Sequence, residues 1–225
     1  MIKFRALPIT ILRTVPETLN ILNQLKYNND TGRGVSVSET TDNRICGTYY
    51  EEKSYIEIVN HPIHGRIETQ QSLLQSIDYY LDIRNSISIF TGNTRNISLF
   101  MNFISIEAPR LLFIKESCIK LNDALSFFRR NIQECLISKI SFHEFQISES
   151  SKATITITSK GDAYSDSSIF NVDAELHPKA FRVEGRFLDH RLRLSISSTG
   201  TFTITSKVEE EFFNYLADHL PDFFN

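Results

Sequence analysis

From residue 181 to residue 205 the sequence alternates. Phe181, Val183, Phe187, Leu192, Leu194, Ile196, Phe202 and Ile204 take every second position within their segments. Arg182, Glu184, Arg186, Arg191, Arg193, Ser195, Thr201, Thr203 and Thr205 fill the positions between them. In an extended chain successive side chains point to opposite faces, so the two sets separate across a sheet. The pattern predicts three short antiparallel strands at 181–187, 191–197 and 201–205. Their apolar face needs a cover and their polar face is left to water. A helix follows. Glu209, Glu210 and Glu211 stand in its first turn, where negative charge suits the positive end of a helix, and Ser206 is placed to cap it. Phe212, Tyr215, Leu216 and Leu220 give that helix an apolar side.

The rest of the chain reads in the same terms. Residues 2–12 suit a strand rich in β-branched and aromatic side chains. Pro16 and Glu17 open a helix whose stripe is Leu19, Leu22 and Leu25. Strands are expected at 44–50 and 55–59 around a turn at 51–53, with a further break at His61, Pro62 and Gly65. Residues 66–84 read either way: 70–80 fits a helix, while Tyr79, Leu81 and Ile83 alternate. After a strand at 86–91, Asn93 or Thr94 caps a helix carrying Ile97, Phe100, Met101 and Ile104, and Pro109 stops it. Then come a strand at 111–115, a helix marked by Leu121, Leu125, Phe128 and Ile132, and strands at 137–147, 153–159 and 169–176.

Strand, helix, antiparallel meander, helix thus occurs twice. The expectation is an α+β chain of two related halves, 1–109 and 110–225, each an antiparallel sheet backed by helices. Two local echoes support duplication. Residues 85–93 parallel 199–207 before each closing helix, and Arg66-Ile67-Glu68 echoes Arg182-Val183-Glu184. The competing reading is two unrelated meanders that share common turn chemistry.

This order resembles that of the TATA-binding-protein family. The likeness is densest near the C-terminus, where Ser197-Ser198-Thr199-Gly200 stands for an SSGK-type turn. There Thr205-Ser206-Lys207-Val208-Glu209-Glu210 stands for a VTGA-type strand end and a Glu-rich helix start. Phe90-Thr91-Gly92-Asn93 is similar to the same strand end. The resemblance covers about forty residues with short motifs. It implies a saddle whose concave sheet binds the DNA minor groove and wedges Phe pairs between base steps. This chain departs from that device, because Ile196 holds the position of the pre-turn wedge and Phe202 alternates onto the other face. TATA-box recognition is not carried over.

Composition limits the partners. With 24 Lys and Arg against 27 Asp and Glu, the net charge is −3, so only a local patch can attract phosphate. The polar sheet face supplies that patch. Arg182, Arg186, Arg191 and Arg193 share it with Thr201 and Thr203, and the expectation is DNA or RNA bound through phosphate without catalysis. The alternatives are an ordinary solvated face, with Glu184, Asp173 and Glu175 neutralising the Arg, and a protein-interaction subunit of a larger microbial complex or a homo-oligomer.

Chemical motifs are sparse. His61 and His64 with Cys46 upstream lack a fourth ligand, so no metal and no cofactor is expected. No GxSxG, P-loop or GxGxxG occurs, and the reading leans against an enzyme. Cys46, Cys118 and Cys135 fit free thiols of a reducing compartment. The interrupted apolar run at the N-terminus is too short for a signal peptide, and no stretch spans a membrane. A cytoplasmic protein is expected.

Overall fold

The computed structural model describes residues 1–115, 118–148, 151–167 and 178–224, apart from the side chains of 61, 143–148 and 151–152. Among these residues it contains eleven strands and five α-helices, and the strand ladders are antiparallel. The chain is therefore α+β. It divides into two compact units, one of residues Ile9–Ile114 and one of Met1–Pro8 with Lys115–Asn225. No helix among the described residues is long and apolar enough to cross a membrane.

The 9–114 unit holds the end of β1 (Ile2–Ile11), α1 (Val15–Gln24), β2 (Arg33–Thr40), β3 (Arg44–His61), β4 (Gly65–Asp82), β5 (Ile87–Gly92), α2 (Ile97–Glu107) and β6 (Leu112–Ile114). Helix α1 starts where the sequence says. The Glu17 carboxylate accepts from both the N–H and the hydroxyl of Thr14, each at 2.9 Å, and these bonds lower its pKa. Strands β2 to β5 lie side by side in chain order. On the helix side of this sheet Phe100 stacks on Tyr79 at 5.1 Å and meets Tyr49 and Phe90, which makes α2 the main cover. Removing that ring would cost about 3–5 kcal/mol. Gly47 faces Tyr79, and any side chain there would run into the ring and the Ser36 carbonyl.

One expectation for this unit is corrected and one open alternative is decided. There is no turn at 51–53, and of the two readings of 66–84 the strand holds up to Asp82. Instead β3 and β4 are each 18 residues long and pair without a break from Arg44–Asp82 to His61–Gly65. The charged run Glu51-Glu52-Lys53 has no Gly, Pro, Asn or Asp to turn the chain, and an exposed ribbon tolerates charge on either face. The real turn is at residues 62–64, where Gly65 takes a φ of +70° that suits glycine.

The second unit contains the start of β1, α3 (Leu121–Asn131), β7 (Gln133–Ser148), β8 (Ser151–Thr158), α4 (Ala163–Ser167), β9 (Pro178–Phe187), β10 (His190–Ser197), β11 (Thr201–Ser206) and α5 (Glu209–His219). Its strand order is β1-β11-β10-β9-β7-β8. Helices α3 and α5 cover one face. Phe128 meets Phe181, Phe212 meets Phe187, and Phe213 meets Phe4, which itself stacks on Phe202 at 4.8 Å. Val183, Leu192, Leu194, Ile196 and Ile204 are buried beneath these rings. Gly185 lies on the same face, where an added carbon would strike Ile132 and the Gln133 carbonyl.

Pro178 opens β9, as an N-terminal strand residue can. Ser206 ends β11. Its hydroxyl accepts from the Val208 N–H at 3.3 Å and donates to the Arg191 carbonyl at 2.9 Å, so it ties strand to helix entry without capping the first turn. The strand expected at 169–176, with Asn171, Asp173 and Glu175, lies outside the described residues.

Candidate nucleic-acid interface

Helices α3 and α5 occupy one face of the second unit's sheet, and among the described residues nothing covers the other. All six residues singled out from the sequence stand on it, and the ladder registers fix their neighbours. Arg186 is opposite Arg191, Glu184 opposite Arg193, and Arg182 opposite Ser195. Ser195 is opposite Thr203 and Arg193 opposite Thr205. Two residues from β1 extend the face, Lys3 beside Thr203 and Arg5 beside Thr201. From β7, Lys139 stands beside Arg182 and Thr158.

One row therefore runs Lys3, Thr203, Ser195, Arg182, Lys139, Thr158 over six strands. At about 4.8 Å between strands it spans roughly 24 Å.

The side chains are partly committed. Arg193 pairs with Glu184 at 3.1 Å, and Arg182 donates to the Ser195 hydroxyl at 3.3 Å. Arg5 donates to the Thr199 carbonyl at 3.2 Å. Arg186 and Arg191 are a directly opposed like-charged pair, an arrangement that costs stability in a ladder. The carboxylate that approaches Arg186 is that of Glu134, at 3.9 Å, and both groups are exposed. Such a pair is relieved by an anion from solution. Beside Arg182 a depression of about 320 Å³ is lined by Leu136, Lys139, Thr158, Lys160, Arg182 and Glu184. It is open to water and brings three cations around one hollow.

Sequence reasoning missed Lys3, Arg5 and Lys139. Nothing in the sequence says which strand β1 joins. For Lys139 a signal did exist. The buried residues Ile137, Ile140 and Phe142 break the two-residue period between the first and second. That slip is a β-bulge at Ser138, which turns Lys139 onto the open face beside Arg182. Phe202 and Ile196 are both buried on the helix side, so neither reaches the open face.

Other sequence candidates do not converge. Cys46 is at the base of β3 and His64 beyond its end, a separation of roughly 50 Å along the ribbon. Among the described residues no three His, Cys, Asp or Glu side chains group as metal ligands. None of the three cysteines is in a disulfide, and Cys118 is exposed. Burial raises the thiol pKa of Cys46 and pushes that of Cys135 up to about 11, which keeps both protonated and unreactive at neutral pH.

Compared with protein-family models and with curated proteins, the chain matches none.

Proposed function

We propose that the open face of the second unit binds the phosphate backbone of nucleic acid. The supporting observation is the cationic row Lys3, Arg182 and Lys139, flanked by the opposed pair Arg186 and Arg191. Hydroxyls of Ser195, Thr201 and Thr203 stand between the cations as phosphate donors. Among the described residues no aromatic side chain is on these rows, so the rows offer neither a stacking platform nor a wedge. Recognition is then electrostatic, strongly salt-dependent and weakly selective for sequence. The likeness of 197–210 to the TATA-binding-protein family points to the same ligand class, while the placement of Ile196 and Phe202 removes that family's kinking device.

Fluorescence anisotropy with labelled single- and double-stranded DNA and RNA, titrated from low to physiological salt, tests this. Binding whose logarithm falls linearly with log salt is expected. Absence of binding to all four probes at low salt would overturn it.

A further inference from the structure

Strand β2 accompanies β3 only as far as Glu51, and β5 accompanies β4 only from Ile77. Residues 53–74 of β3 and β4 therefore continue as a two-stranded ribbon that no third strand among the described residues joins. From Lys53 to His61 that is about 30 Å of ribbon. Tyr55, Ile56, Ile58, Ile67, Leu73 and Leu74 are between 37% and 62% exposed on it. They form an apolar patch on each face, Tyr55, Ile67 and Leu73 on one and Ile56, Ile58 and Leu74 on the other. A lone two-stranded ribbon is marginal in water, so its cover adds stability. Glu52, Lys53, Glu57, Arg66 and Glu68 leave it slightly acidic, which disfavours phosphate and anionic lipid and favours protein.

The backbone identifies the edge on offer. The Glu52 N–H donates to the Gly32 carbonyl at 2.7 Å, on the side away from β4. The Ser76 carbonyl accepts from Asn96 Nδ2 at 3.0 Å, on the side away from β3. Backbone groups alternate sides along an antiparallel strand. Arg66, Glu68, Gln70, Ser72 and Leu74 thus turn both N–H and C=O outward, along an edge that no strand among the described residues reaches.

This edge is self-complementary. In an antiparallel register about a two-fold axis at Gln70, Glu68 faces the partner's Ser72 and Arg66 faces the partner's Leu74. Ile67 lies beside the partner's Leu73, on the face that also carries Tyr55 and Val59, and no two like charges oppose. Moving the axis to Glu68 sets two carboxylates against each other. Moving it to Thr69 or Gln71 sets Ile67 against an amide.

We propose that β4 pairs edge to edge with β4 of a second copy of this chain, two-fold about Gln70. The resulting dimer joins two ribbons into one four-stranded sheet and does not depend on the nucleic-acid reading.

Sedimentation equilibrium of the full chain over a wide concentration range tests it, together with two proline variants. Gln70→Pro removes an outward N–H and leaves the ribbon's own ladder intact. It should weaken the dimer by about 100-fold. Ser54→Pro makes the same change on the opposite edge, on β3, and should leave dimerisation unchanged. In a Cys118→Ser background, Gln70→Cys should give a covalent dimer on mild oxidation, since directly opposed residues about 5.5 Å apart lie within disulfide reach. A chain that stays monomeric at every concentration overturns the proposal. So does a dimer that survives Gln70→Pro, or one lost with Ser54→Pro while Gln70→Cys fails to cross-link.

Discussion

On the open face of the 9–114 unit, Ser36, Thr48, Asp78 and Thr91 stand in one row across β2 to β5. The Asp78 carboxylate accepts from both threonines, at 2.8 Å and 3.3 Å, and Arg44 is held by Asp82 at 3.3 Å and lies over Tyr80. The corresponding row of the second unit carries Lys3, Arg182 and Lys139. Both units are antiparallel sheets with helices on one side, and both leave the other side to water. The first has its charges satisfied by its own neighbours. The second opposes Arg186 to Arg191 and offers three cations around a hollow. The two units thus share an architecture, and the placement of charge on the uncovered face is what distinguishes them.

Charge reversal should separate the two faces most widely. Arg182→Glu with Lys139→Glu is expected to lower nucleic-acid affinity at low salt by more than about 100-fold, while Ser36→Glu on the first unit leaves it within about twofold. Equal losses from both would end the distinction. The milder variant, Lys3, Lys139 and Arg182 all to Ala, should reduce the slope of log K against log salt by about 2–3.

The glycines come next, and they probe the covered faces. Gly47→Ala and Gly185→Ala each force a carbon against packed neighbours in their own unit. Each should lower stability by about 1–3 kcal/mol in a urea titration. An unchanged midpoint would mean that the covered face can yield.

A smaller effect is expected at Glu184, which holds Arg193. Glu184→Gln should release that guanidinium and raise affinity about two- to fivefold, by the worth of an exposed ion pair plus one freed charge. A loss of affinity would show that Glu184 orients the face.

The smallest effect is alkaline. Cys135 has a folded pKa of about 11, above the 9.0 of a free thiol. Its contribution is fully present below pH about 9 and is lost as pH rises through about 11. Cys135→Ala should flatten the urea midpoint over that window relative to wild type, and iodoacetamide at pH 7.5 should label Cys118 before Cys46 or Cys135.

The features that made this comparison accessible differ in kind. The alternation at 181–205 is a local property, so the open and covered faces of β9 to β11 were readable residue by residue. The same holds for α3 and α5, whose Phe128, Phe212 and Leu216 recur at helical spacing. The long ribbon was not readable. Exposed on both faces, it needs no alternation, and its Gln70 to Gln75 segment fits helix and strand equally. Strand neighbours were not readable either, because pairing Ile2 with Ile204 leaves no mark in either segment. Lys3 therefore entered the candidate face only through the fold, whereas the bulge that places Lys139 was written in the slip from Ile137 to Ile140.

The pairing of Ile2 with Ile204 also sets a timetable. At about 5–20 residues per second, a ribosome makes the first strand of the second unit roughly 10–40 s before its partner. Through that interval Phe4 lacks Phe202, the ring it stacks on in the finished sheet. Residues 9–114 are complete well before then. During synthesis the ring of Phe4 therefore goes without its stacking partner until the last strand of the sheet is made.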